Sequence, residues 1–244
     1  MTNNFKSNNL KTIAYSQIID LTHGIHPNIP LWQGDPATEI ATVAQIETDG
    51  YFLRKFSMGE HSATHINAPN SFYAGGASID SYSPQSLVVP AIAIDLREQS
   101  LPNPDYTLTI DDILTWERQH KLIEPGNLVL LYTGWQEKWD DERAFFNLDD
   151  RGICHFPGFG KAATQFLLEE RSIAGIGTDT HGVDTGRDES FAVNKLVLKK
   201  QRIVLENLAN LDLLPAAGEI TLVIGILRLL GGSGSPVSVL AFVA

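Results

Sequence analysis

A single β-rich α/β domain with a mixed sheet and few helices is the fold class this sequence predicts, and three observations predict it. Short apolar runs rich in β-branched residues recur along the chain and are bounded by turn residues. Stretches with helical spacing of apolar residues lie between several of them. No linker, low-complexity segment or repeat at about 20–50 residues divides the chain, and its 244 residues suffice to bury a large core.

The elements follow in order. Residues 1–16 are polar and read as a flexible N-terminal arm, leaving 17–244 as the domain. The runs 87–96 and 127–132 are almost continuously hydrophobic, which predicts strands covered on both faces. Thr109, followed by Asp111 and Asp112, supplies an N-cap and an acidic first turn for a helix reaching about Gln119. Ala162, Ala163, Phe166 and Leu167 set a second helix from near Gly160 to near Arg171, and a strand over 173–179 follows. A further helix over 190–198 precedes a strand at 203–206. The glycine-rich stretch 231–236 lacks the lysine of a phosphate-binding loop and a following helix, so it reads as a tight turn between strands.

Charge excludes whole classes of partner. Eighteen basic against 29 acidic residues leave a net charge of −11. Nucleic acid and anionic membrane surfaces need clustered Lys and Arg, and the densest basic group, Lys199-Lys200-Gln201-Arg202, reads as a solvated face. The single cysteine, Cys154, rules out an intrachain disulfide and fits a reducing cytoplasm. His155 beside it is a poor base for it, because sequence neighbours rarely form a nucleophile–base pair. The N-terminus lacks the apolar core of a signal peptide, and no apolar run reaches the roughly 20 residues needed to span a bilayer. These features together place the chain in the cytoplasm.

The stretch His61-Ser62-Ala63-Thr64-His65-Ile66-Asn67-Ala68-Pro69-Asn70 carries the strongest chemical signal. In a flat strand the two imidazoles would stand roughly 13 Å apart, too far for one ion. If both hold one metal, the backbone must coil between them. A pair of histidines four apart also occurs with no metal role, and Ser62 stands where a zincin would carry its glutamate base. Other segments add suitable groups. Asp179, His181 and Asp184 follow a buried strand, at the end where α/β folds build sites. Glu206 sits in an apolar strand, where a carboxylate is costly unless paired or bound to a cation. Asp20 and Asp35 read as turn caps, and Trp32, Phe52 and Trp135 as an aromatic wall or as core.

Taken in order, Ile19-Asp20-Leu21-Thr22, the two-histidine stretch, Thr133-Gly134-Trp135, Phe156-Pro157-Gly158, Gly177-Thr178-Asp179-Thr180, Glu206-Asn207-Leu208 and the final Gly-Gly-Ser-Gly-Ser-Pro-Val resemble the cyclase-like metal-dependent hydrolases that include bacterial kynurenine formamidase and isatin hydrolase. The resemblance runs over about residues 18–243. It implies a fold of the swivelling β/β/α type, assembly as a homo-oligomer (dimer or tetramer), and hydrolysis of an amide, lactam or lactone of a small molecule by water activated on Zn2+ or Mn2+. The family pattern H-x-G-T-H-x-D-x-P-x-H is only partly kept. His61 and His65 match its histidine ligands and Glu206 keeps its place, but Asn67 replaces the metal-bridging aspartate, Asn194 a later histidine, and Ala63 the glycine. The last histidine has no counterpart, since Asn70 and Ser71 follow Pro69.

Two neutral imidazoles and one carboxylate suit a single divalent ion, so His61, His65 and Glu206 are the expected ligands of one metal per chain, with Asn67 and Asn194 left to bind substrate beside Trp32 and Phe52. His181, Glu60 and Asn70 are the candidates to replace the missing proton shuttle. Two other readings stay open: a noncatalytic binding or assembly protein with the same fold, and a cyclase or dehydratase using the same pocket.

Overall fold

The computed structural model describes residues 12–215 and 218–244. Its strands are β1 (Gln17–Asp20), β2 (Glu39–Ala44), β3 (Leu53–Ser57), β4 (His65–Asn67), β5 (Val88–Asp95), β6 (Thr107–Leu108), β7 (Leu128–Tyr132), β8 (Gly158–Phe159), β9 (Gly175–Thr178), β10 (Ile203–Glu206), β11 (Ile220–Ile226) and β12 (Gly234–Val243). Eight of these form one sheet in the order β1-β12-β11-β5-β7-β9-β10-β4, and β4 pairs with β12 as well, which closes the sheet on itself. The centre, β5-β7-β9-β10, is parallel, while β11, β12, β1 and β4 run antiparallel to their neighbours. The sheet is mixed, as the sequence predicts.

Continuous hydrophobicity in the central strands has the expected cause. Leu128, Leu130 and Tyr132 of β7 face one core, enclosed by the curved sheet, and Val129 and Leu131 face a second core on the other side. Helices cover that second side. The helical segments are α1 (Ile46–Asp49), α2 (Arg97–Ser100), α3 (Ile110–Gln119), α4 (Glu142–Phe146), α5 (Lys161–Glu170) and α6 (Ala192–Leu198). Ile113 and Trp116 of α3, Leu167 of α5 and Val197 of α6 all enter the second core. The Thr109 cap forms as a reciprocal box: Asp112 N–H donates to Thr109 Oγ1 at 3.1 Å, and Thr109 N–H donates to Asp112 Oδ2 at 2.8 Å.

Two expectations change. Only the first part of 231–236 is a turn; Gly234, Ser235 and Pro236 already belong to β12, opposite Asn67, Ile66 and His65 of β4. The extra pairing closes the sheet, which a reading of local turn chemistry does not reveal. The arm expected over 1–16 lies outside the described residues for 1–11, and Ser16 N–H donates to Val243 O at 2.8 Å, extending the β1–β12 pairing. Among the described residues no helix is long and apolar enough to cross a membrane.

Candidate functional site

Register builds the centre of the site. His65 of β4 lies directly across from Glu206 of β10, and Asn67 across from Val204. Because strand side chains alternate, Ile66 and Leu205 enter the enclosed core while His65, Asn67 and Glu206 share the opposite face. His61 reaches the same face through the coil that the histidine spacing demands. Ala63 makes that coil in the left-handed region, at φ 55°. An alanine there costs about 1–2 kcal/mol; its burial with Trp135 and Phe156 and the hydrogen bond from Asn207 Nδ2 to its carbonyl, 2.8 Å, offset that cost. Gly234 is required beside it, since a Cβ there would lie 2.6 Å from His61 Cε1.

The side chains on this face bond mainly to one another. His65 Nε2 is 3.0 Å from Glu206 Oε2, and its Nδ1 is 2.9 Å from Ala63 O. Asn67 Nδ2 donates to Glu206 Oε2 at 3.0 Å and to Asn194 Oδ1 at 3.1 Å. Glu206 Oε1 accepts from Asn194 Nδ2 and from Val183 N–H, each at 3.0 Å. Burial opposes ionisation of Glu206, but the hydrogen bond and charge of His65, with the Asn194 and Val183 donors, outweigh it and hold the carboxyl at about 2. Asn67 turns its oxygen to His61 Nδ1, 2.7 Å away. His61 Nε2 meets the Ser233 hydroxyl at 2.9 Å. That hydroxyl is also 2.7 Å from Glu60 Oε2.

The expected metal does not fit these residues as they stand. Metal ligands must present lone pairs, and the lone pairs here are taken. Both nitrogens of His65 face oxygen acceptors, Ala63 O and Glu206 Oε2, so neither is turned toward an open position. The carbonyl at Nδ1 is the partner that usually orients a metal-bound imidazole, but Nε2 is committed to Glu206. Glu206 already accepts four hydrogen bonds. Among the described residues no group of three or more His, Cys, Asp or Glu side chains is arranged to hold an ion. His61, His65 and Glu206 are therefore neighbours without forming a ligand set.

A cavity of about 280 Å³ opens beside this centre, with Trp32, Phe72, Phe156 and Phe191 among its walls. His181 lines it, stacked on Trp32 with ring centroids 5.0 Å apart and planes 6° from parallel. Burial, reinforced by the charge of His65, lowers its pKa to about 3, and its Nδ1 is buried without a partner. Asp184, also at the cavity, accepts from the backbone N–H groups of Val193 (2.6 Å) and Asn194 (3.0 Å) and from Asn194 Nδ2 (3.1 Å). It orients Asn194 at the start of α6.

Other expected site residues lie elsewhere. Phe52 is 59% exposed immediately before β3 in the β2–β3 hairpin, outside the cavity lining; its residue type gave no sign of that placement. Asn70 is turned away, donating to Gly231 O at 3.1 Å, and Ser71 lines the cavity in its place. Glu60 also lies off the cavity wall, holding Ser233 through its backbone N–H and hydroxyl, both at 2.7 Å. Trp135 is core, with its indole N–H donating to Phe145 O. Asp179 is not a cavity carboxylate: it is fully buried and accepts from Thr133, Trp135 and Gln136. His155 turns to Asp105 at 2.8 Å. Sequence reasoning missed Ser233, since a serine in a glycine-rich turn carries no chemical signal of its own.

The comparisons agree with the architecture. The family model described as "Putative cyclase" matches residues 19–185. Isatin hydrolase from Roseibium aggregatum is 34% identical, over 93% of this chain and 92% of its own, and kynurenine formamidase from Bacillus cereus is 27% identical, over 91% and 95%. The solved structure of isatin hydrolase A from Ralstonia solanacearum superposes with a TM-score of 0.87 at 32% identity, covering 93% of this chain and 92% of that one. A structure from Bacillus stearothermophilus described as a predicted metal-dependent hydrolase superposes at 0.70 with 25% identity, over 93% and 98%. With a matching model over most of the chain and relatives alike over more than nine-tenths of it, the chain belongs to the cyclase family.

Proposed function

We propose that this protein hydrolyses an amide, lactam or lactone bond of a small, aromatic molecule held in the cavity. The observation that carries the reading is the placement of His181, an imidazole held neutral by burial and stacked on Trp32, on the wall of an aromatic cavity whose floor is the His65–Glu206 pair. Trp32, Phe156 and Phe191 hold a flat ligand by area and stacking. His181 takes a proton from the attacking water and returns it to the leaving nitrogen or oxygen, a general base turned general acid. His65, hydrogen-bonded to Glu206, lines the cavity as a polar partner for the carbonyl oxygen that gains charge. Asp184 and Asn194 hold the wall between them.

The test is an assay of aryl formamides, lactams and aryl lactones in 18O-labelled water, with direct ligand binding measured alongside. One class is expected to be hydrolysed with label in the new carboxylate. His181→Asn is expected to lose about 10²–10⁴ in kcat while still binding ligand. Binding without turnover across the panel would instead establish the noncatalytic reading, which the closed hydrogen-bond network around Glu206 favours.

The partner expected from the family resemblance is a second copy of this chain, and the β2–β3 hairpin supports it. Val43, Phe52, Leu53 and Phe56 are all exposed there, Phe56 to 63%. Four large exposed apolar side chains on one two-stranded ribbon support an interaction surface. Light scattering coupled to gel filtration should find a dimer or larger, and Phe52→Glu/Phe56→Glu should shift it toward monomer with the fold retained. A monomeric parent protein would remove the proposal.

A further inference from the structure

We infer that this chain's centre is built to exclude a metal ion, and that the amides of Asn67 and Asn194 are the plugs that exclude it. The inference concerns what holds the site together, and it stands whether or not the cavity turns a substrate over.

The argument is an inventory of lone pairs. Four polar side chains meet Glu206 or its neighbours: His65, Asn67, Asn194 and, one step out, His61. Glu206 Oε2 receives donors from His65 and Asn67, and Oε1 receives donors from Asn194 and Val183. The orientation of each amide is forced. Were Asn67 turned over, its oxygen would face the Glu206 carboxylate; were Asn194 turned over, its oxygen would face both Glu206 and Asp184. Both amides therefore point N–H donors where a ligand would present an acceptor.

Their oxygens are also committed. Asn67 Oδ1 faces His61 Nδ1, which fixes the proton on that nitrogen, and Nε2 is taken up by the Ser233 hydroxyl at 2.9 Å. Asn194 Oδ1 accepts from Asn67. His65, Asn67, Asn194 and Glu206 are buried, and none has a buried side-chain polar atom left unpaired. A cation entering here would have to break several of these bonds, and Asp184, the second carboxylate on the cavity, is already committed to the Val193 and Asn194 donors.

The plugs are also replaceable, which gives the inference its sharpest consequence. An aspartate in place of Asn67 would set a second carboxylate against Glu206, at a separation now spanned by a 3.0 Å hydrogen bond. Such a like-charge pair is unfavourable unless a cation lies between the two groups. A histidine in place of Asn194 would have Asp184, now 3.1 Å from the Asn194 amide nitrogen, to accept its second ring N–H. That is the outer partner an imidazole ligand needs.

The experiment uses untagged full-length protein grown with added zinc and manganese and purified without chelator. Elemental analysis is expected to find sub-stoichiometric metal in the parent protein, and calorimetric titration with zinc chloride or manganese chloride is expected to show no stoichiometric binding. Asn67→Asp/Asn194→His is expected to take up about one ion per chain, with an unfolding midpoint that climbs with metal concentration. The single variant Asn67→Asp serves as the second reading, with weaker but measurable uptake, should the double variant not fold.

About one ion per chain in the parent, removed by EDTA with loss of thermal stability, would overturn exclusion. Folded variants that stay metal-free would overturn the role given to the two amides. Because the readouts are metal content and melting, they are independent of any substrate assay.

Discussion

Glu206→Ala is expected to lower folding stability by about 3–5 kcal/mol, the usual cost of removing one partner from a buried ion pair. The alanine would strand His65 Nε2, Asn67 Nδ2, Asn194 Nδ2 and Val183 N–H together. His65 and Asn67 belong to β4 at the closure of the sheet, Asn194 to the first turn of α6, and Val183 to the segment between β9 and α6. Glu206→Gln keeps the shape but turns an N–H2 toward at least one of those donors, so a smaller loss of about 1–3 kcal/mol is expected. Urea unfolding with an unchanged slope would measure both. An alanine variant as stable as the parent would mean that desolvating the pair costs as much as its attraction supplies.

The same carboxylate sets an acid limit. Its pKa is held at about 2 in the folded protein against an ordinary 4.5. A depressed carboxyl contributes stability that is complete above 4.5 and is lost as pH falls from there through about 2, a contribution of about 3 kcal/mol. Glu206→Gln should remove that part of the acid limb.

Most of the scaffold was legible because its signals are local. The Thr109 cap, the helical spacing around Phe166 and the apolar run at 203–206 each specify their element without help from distant residues. The centre was legible only by residue type. Spacing brought His61 and His65 together, but the decisive facts are cross-strand: Glu206 opposite His65, and β12 opposite β4. No local pattern encodes those registers. Charge counting left Asn67 and Asn194 as substrate contacts, whereas their hydrogen bonds show them filling the space between the acidic groups. Phe52 failed for the opposite reason. Its chemistry suited a pocket wall, but the hairpin carries it away from the domain.

Asp179→Ala is expected to be at least as damaging as the loss of Glu206, although this aspartate touches no ligand-binding surface. It lies just beyond β9 and is fully buried. Its carboxylate accepts from Thr133 N–H at 3.0 Å, Thr133 Oγ1 at 2.7 Å, Trp135 N–H at 2.8 Å and Gln136 N–H at 3.3 Å. These donors form the turn that leaves β7, where Gly134 holds φ at 79°. Thr133 and Trp135 are buried and Gln136 half-buried, so alanine would leave a nest of backbone N–H groups unsatisfied at about 1–2 kcal/mol each. Over the three backbone N–H groups the sum, about 3–6 kcal/mol, is comparable to the whole stability of many domains.

The effect should also reach the cavity. Trp135, held by Asp179 through its backbone, packs in one cluster with Phe145 and Phe156, and Phe145 meets the His181 ring edge-on at 6.3 Å. Asp179→Asn retains one acceptor oxygen and should recover part of the stability. Near-ultraviolet circular dichroism of the tryptophans, read beside urea unfolding, separates the two consequences. If Asp179→Ala unfolds at the parent's urea concentration with its tryptophan signal unchanged, the turn after β7 is held by its own backbone, and the carboxylate is a passenger.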